Sequence, residues 1–140
     1  MSTDFRKSTV YQIYPKSFCD TNGDGLGDLR GVIEKLDYIK ELGVDYIWLT
    51  PFFVSPQNDN GYDVADYYNI DPAYGTMKDV EELIAEGKKR GIGLMFDMVF
   101  NHVSTSHEWF RKAMEGDPYY KDFFIFRKGK GAGVPPTNWE

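Results

Sequence analysis

The stretch Gly91 to His102, Gly-Ile-Gly-Leu-Met-Phe-Asp-Met-Val-Phe-Asn-His, constrains this chain most. A short, near-continuous apolar run bounded by glycine reads as a strand covered on both faces, the form that strands take in parallel sheets. Inside that run stands Asp97, and Asn101 and His102 close it. Burying a carboxylate costs several kcal/mol unless it is paired or hydrogen-bonded, so Asp97 either points into a polar site or has a dedicated partner.

Two further strands and two helices precede it. Val10 to Tyr14 is β-branched and aromatic and reads as a first strand, ended by Pro15. Leu29, Val32, Ile33, Leu36, Ile39 and Leu42 fall on one helical face, with Asp28 as N-cap and Gly43 as the stop. Asp45 to Pro51 is a second short apolar strand. Between Phe52 and Gly75 lies a long polar-aromatic loop, too aromatic for disorder. Thr76 then caps a second helix, with Asp79 in a weak capping-box position and Val80, Leu83 and Ile84 on its buried face. Strand, helix, strand, helix, strand with helical crossovers specifies a parallel sheet and an α/β fold. Three parallel strands cannot close a barrel and leave edges and a face bare, whereas an eight-fold barrel needs about 250 residues. The chain therefore reads as the opening of a larger barrel, with a complete small three-stranded domain as the alternative. Beyond the third strand, Ser104 to Met114 reads as a short helix terminated by Pro118, and the aromatic run Tyr119 to Phe126 reads as core.

Charge and cysteine content exclude several functions. A formal net charge of −6 gives no overall basic footprint for nucleic acid, and a single cysteine, Cys19, excludes an internal disulfide framework. No apolar run approaches the roughly 18 residues of a membrane span, and the first residues lack an apolar signal core, so a cytoplasmic location without membrane partners is expected. The loop Asp20-Thr-Asn-Gly-Asp-Gly-Leu-Gly-Asp28 is dense in oxygen acceptors: Asp20, Asn22, Asp24, Asp28 and the Leu26 carbonyl. Calcium takes six to eight such oxygens, so the loop suits it. Its start resembles an EF-hand loop, but the twelfth position is Gly31 and a strand precedes it. An Asx-rich turn holding no ion is the other reading. Read as local structure, Asn60-Gly61 is a turn beside a solvated Asp63, and His102 is a buried histidine satisfying a loop carbonyl. Lys16, Lys128 and Lys130 are the cations open to a phosphate, without an assigned role.

Taken together, Val10-Tyr-Gln-Ile-Tyr-Pro-Lys-Ser-Phe18, the acidic loop, Trp48-Leu-Thr-Pro51, Asp59-Asn-Gly-Tyr-Asp63, Tyr74-Gly-Thr76 and Asp97-Met-Val-Phe-Asn-His102 resemble the α-amylase family of glycoside hydrolases. Within that family the form Ser55-Pro-Gln-Asn-Asp-Asn-Gly-Tyr-Asp63 looks most like trehalose-6-phosphate hydrolases, with oligo-1,6-glucosidases and dextran glucosidases as near neighbours. The resemblance implies that residues 1–103 are the first three β/α units of a (β/α)8 TIM barrel and that residues 104–140 begin the inserted domain B. It implies that Tyr62 stacks on a glucose ring, Asp63 accepts from its outer hydroxyls, His102 bonds its 6-hydroxyl, and Asp97 is a supporting acid that holds an active-site arginine lying outside this chain. By the same resemblance Asp20, Asn22, Asp24, Leu26 and Asp28 hold a structural calcium or magnesium ion. The resemblance further implies that the nucleophile and the acid/base come from later strands, so no catalytic residue is expected here. A retaining α-glucosidase cleaving trehalose 6-phosphate is the expected whole, with isomaltose-type substrates as runner-up and a non-catalytic, calcium-stabilised module as the alternative of another class. The isolated chain is expected to be inactive and to self-associate.

Overall fold

The computed structural model describes residues 4–138. In chain order its elements are β1 (Val10–Ile13), α1 (Pro15–Phe18), α2 (Leu29–Glu34), α3 (Leu36–Glu41), β2 (Tyr46–Leu49), β3 (Phe53–Val54), β4 (Asp66–Ile70), α4 (Met77–Lys89), β5 (Gly93–Phe96), α5 (Glu108–Glu115) and α6 (Pro118–Lys121). β1, β2 and β5 make a parallel sheet in that order, Val10 opposite Tyr46 and Tyr46 opposite Gly93, as the alternation of strands and helices requires. The core between sheet and helices contains Ile13, Ile47, Leu49, Phe52, Leu36, Ile39 and Leu83.

The single helix expected from Asp28 to Gly43 is two segments, broken at Lys35, where φ is −95° and ψ is 5°. Leu29, Val32, Leu36 and Ile39 are buried as the spacing requires. Leu42 is exposed because α3 stops at Glu41 and Gly43 turns the chain at φ +76°. Asp28 caps α2 by accepting from the Gly31 amide at 2.7 Å. The capping box of α4 is complete, Thr76 and Asp79 each accepting from the other's backbone, with Val80 and Leu83 buried. Ile84 departs from expectation: it lies on the exposed side of α4.

Other departures have physical reasons. The loop expected from Phe52 to Gly75 contains the antiparallel hairpin β3–β4, whose register shifts between Phe53 and Val54. That irregularity removes the two-residue alternation by which strands are read. Full cover of Gly91 to His102 is not observed. β5 is an edge strand of this sheet, none of its four residues is fully buried, and Met98 and Phe100 are exposed. The helix expected from Ser104 begins only at Glu108, and Gly116, at φ +102°, ends it after Glu115. Pro118 opens α6 instead of terminating α5, since a helix's first turn has no use for the missing N–H. The aromatic run is a surface cluster and not core: Tyr119, Phe123 and Phe126 are exposed, and Phe123 meets the Trp109 ring edge-on at 5.4 Å.

Candidate active site

Asp97 directly follows β5, and its amide still donates to the Leu49 carbonyl of β2 at 3.2 Å. Its carboxylate accepts from the Trp48 indole at 3.2 Å and the Tyr62 hydroxyl at 2.9 Å. The acid therefore has dedicated partners, one on the neighbouring strand and one on the β3–β4 connection. Burial foremost, then the Asp97 bond and charge, pushes the Tyr62 phenol up to about 12, so it remains a donor at neutral pH.

Asn60 and Gly61, at φ +50° and +97°, form the expected turn. A side chain at Gly61 would meet the Pro51 carbonyl oxygen at 2.7 Å, so only glycine lets the turn approach the end of β2. Asp63 is a half-buried organiser of its own loop and not a solvated acid. It accepts from the Ser55 hydroxyl at 2.9 Å and the Asn58 and Asp59 amides at 2.9 and 3.0 Å. Burial alone would raise its pKa; the bonds, led by the Asp59 amide, outweigh that and lower it. Three of a carboxylate's roughly four acceptor positions are thereby used within the loop, and one remains for a further donor.

His102 is exposed and not buried as the local reading expects, but its Nε2 does lie 3.0 Å from a loop carbonyl, that of Tyr62. Its Nδ1 lies 2.7 Å from the Asn101 side-chain amide. A carbonyl only accepts and an amide NH2 only donates, which assigns the proton to Nε2. Tyr62 thus joins Asp97, through its phenol, to His102, through its carbonyl, at the carboxyl ends of parallel strands. That is where α/β proteins build sites. A cavity of about 540 Å³ lies alongside, lined by Tyr67, Met98, Phe100, Trp109 and Phe123, and of the expected residues only His102 reaches it.

The family model of the α-amylase catalytic domain matches residues 12–140. The chain belongs to the α-amylase family. A trehalose-6-phosphate hydrolase of Escherichia coli (strain K12) is 58% identical over 135 residues, covering 96% of this chain and 24% of that protein. An oligo-1,6-glucosidase of Heyndrickxia coagulans is 50% identical over 140 residues, covering 99% and 25%. The crystal structure of the Bacillus licheniformis trehalose-6-phosphate hydrolase matches at a TM-score of 0.90 and 60% identity, over 97% of this chain and 25% of that one. The chain spans about a quarter of the length of these relatives.

In this α-amylase-family chain the acidic loop is a run of Asx turns. Asp20 accepts from the amides of Asn22, Gly23 and Gly25 at 3.1, 2.7 and 2.9 Å, and the Gly25 and Gly23 bonds lower its pKa most. Asn22 and Asp24 accept from the amides two residues on. Asp28 is buried and serves the Thr21 amide and hydroxyl as well as Gly31. Among the described residues no three His, Cys, Asp or Glu side chains converge on a metal position. A cation here would therefore depend on the Asn22 amide oxygen and the Leu26 carbonyl beside the carboxylates. Those are the all-oxygen donors a hard cation takes.

Trp48, Tyr67 and His107 are not marked as site residues by the sequence. Trp48 belongs to one of the family-like motifs; the other two carry no signal separating them from packing residues. His107 is 4% exposed and caps α5, its Nδ1 accepting from the Trp109 amide at 3.1 Å while the Trp109 ring lies 4.5 Å away. Its Nε2 is buried without a partner among the described residues. Burial lowers its pKa against the opposing charges of Asp66 and Glu108. The unfolded chain then takes up a proton near pH 6.5 that the folded chain refuses, so His107 costs no stability above that pH and destabilises as pH falls below it. His107→Asn keeps a capping acceptor without a titrating ring, and urea unfolding at a series of pH values should show a shallower loss toward acid in that variant.

Proposed function

We propose that this chain supplies the first three β/α units of a (β/α)8 barrel, with residues 104–140 opening domain B, in a retaining α-glucosidase that hydrolyses trehalose 6-phosphate to glucose and glucose 6-phosphate. The joining of Asp97, Tyr62 and His102 at the carboxyl ends of parallel strands carries this reading. Similarity to trehalose-6-phosphate hydrolases supports the choice of substrate.

In such an enzyme the Tyr62 ring covers the apolar side of a glucose unit while Asp97 fixes its phenol and hence its tilt. His102 offers the sugar 6-hydroxyl a polar contact; Asp63 chiefly shapes the loop that carries Tyr62. Asp97 would also hold an arginine from a later strand. Retention needs two carboxylates about 5 to 5.5 Å apart across the scissile bond, and these would come from later strands. The 140-residue chain alone is then expected to release no p-nitrophenol from an α-glucoside, and to scatter light above monomer mass because β5 and the exposed Met98 and Phe100 lie bare.

We further propose that Asp20, Asn22, Asp24, the Leu26 carbonyl and Asp28 hold a structural calcium ion, with magnesium as its substitute, stiffening the loop after α1. Calorimetric titration should register calcium uptake at or below millimolar concentration. No heat above dilution would refute the site.

The substrate is tested by a graft in which this chain replaces the matching quarter of the Bacillus licheniformis trehalose-6-phosphate hydrolase. The graft should hydrolyse trehalose 6-phosphate in preference to isomaltose. Preference for isomaltose would favour the oligo-1,6-glucosidase reading, and a folded graft inactive on every α-glucoside would favour the non-catalytic module.

A further inference from the structure

Apart from the buried Val99, the segment carrying His102 has little to hold it. Phe100, Asn101 and His102 are exposed. Among the described residues its backbone bonds lie at its ends, Asp97 N–H to the Leu49 carbonyl at 3.2 Å and Ser104 N–H to the Val64 carbonyl at 2.8 Å. Between them one side chain spans the segment. The Tyr67 hydroxyl, on β4, reaches the Val99 and His102 carbonyls, the latter at 3.1 Å.

We propose that Tyr67 is a positioning residue, which clips the two ends of the Val99–His102 segment and thereby fixes the His102 ring against the Tyr62 carbonyl. One hydroxyl has one proton, so the two carbonyls share it, and the clip holds only while the phenol stays in place. Its ring is kept there by Phe53, His107 and Trp109, whose centroids lie 6.2, 5.7 and 6.1 Å away. The β3–β4 hairpin, which the sequence disguises as loop, thus serves the site directly, presenting Tyr67 from β4 to the Val99–His102 segment and Tyr62 from the connection to Asp97. The consequence for substrate rests on the reading of His102 as a sugar contact; the consequence for the His102 ring does not.

The chain has two histidines, so their signals are readily told apart. Tyr67→Phe keeps every ring contact and deletes the hydroxyl alone, and Tyr68→Phe, at a neighbouring exposed ring, is the control. With 15N-labelled histidine, wild type and Tyr68→Phe should give His102 nitrogen shifts of a fixed Nε2–H tautomer, and Tyr67→Phe shifts averaged between tautomers. In the graft, Tyr67→Phe should raise KM several-fold with kcat little changed, as loss of a ground-state contact does. A fixed tautomer in Tyr67→Phe overturns the proposal. An averaged tautomer with unchanged KM upholds the positioning role and refutes His102 as a sugar contact. Should Tyr67→Phe fail to fold, the wild-type chain decides: His102 nitrogen shifts of a fixed Nε2–H tautomer are required, and shifts averaged between tautomers overturn the proposal.

Discussion

Asp28→Ala should lower the free energy of unfolding by about 2–4 kcal/mol, read as a shifted urea midpoint at unchanged slope. The carboxylate joins two elements at once, taking the Thr21 amide and hydroxyl on one side and the Gly31 amide at the start of α2 on the other. Loss of an N-cap alone costs about 1 kcal/mol. The remainder comes from stranding donors beside a side chain that is 5% exposed. No local rearrangement can absorb the loss, because a Cβ at Gly31 would already sit 2.1 Å from the Cys19 carbonyl oxygen, so the backbones are in contact. Asp28→Asn, which keeps one acceptor oxygen, should fall between. The effect should persist in the presence of a chelator, which separates the capping role from any cation.

The second large effect is on the site. Asp97→Ala in the graft should reduce kcat/KM for trehalose 6-phosphate about 100-fold, the scale that misplacing a positioned group by an ångström carries. It frees the Trp48 indole and the Tyr62 phenol together. The phenol reports this independently of activity. Its pKa should drop from about 12 once the carboxylate is gone, yet stay above the usual value, because burial is the larger cause. Ultraviolet titration of the phenol checks it; a Tyr62 titrating as in wild type would show that Asp97 does not hold it.

The parallel sheet and the caps at Asp28 and Thr76 were legible because each rests on a local signal: apolar runs between glycines, helical spacing, or a capping residue ahead of an apolar face. The family was legible from motifs spread along the chain. What escaped was set by tertiary contact. β3 and β4 pair through a shifted register, so neither strand alternates. Lys35 breaks a helix whose apolar spacing runs straight through it. Tyr67 and His107 look like any aromatic and any polar residue until the hairpin and α5 are set side by side. Asp63 has a part the sequence did not show: three hydrogen bonds to its carboxylate order its own loop. The aromatic run was misjudged because apolar content forecasts burial, whereas burial requires a neighbour; the bare edge at β5 is what three parallel strands that cannot close a barrel leave.

Tyr62 and His102, tied together and held by Asp97, are proposed to form one wall of a glucose pocket. A crystal structure of a catalytically inactive form of the graft soaked with trehalose 6-phosphate tests this most directly. The expected result is a glucose ring stacked on Tyr62 with its 6-hydroxyl within hydrogen-bond reach of His102. A sugar bound in the graft that touches neither residue would contradict it.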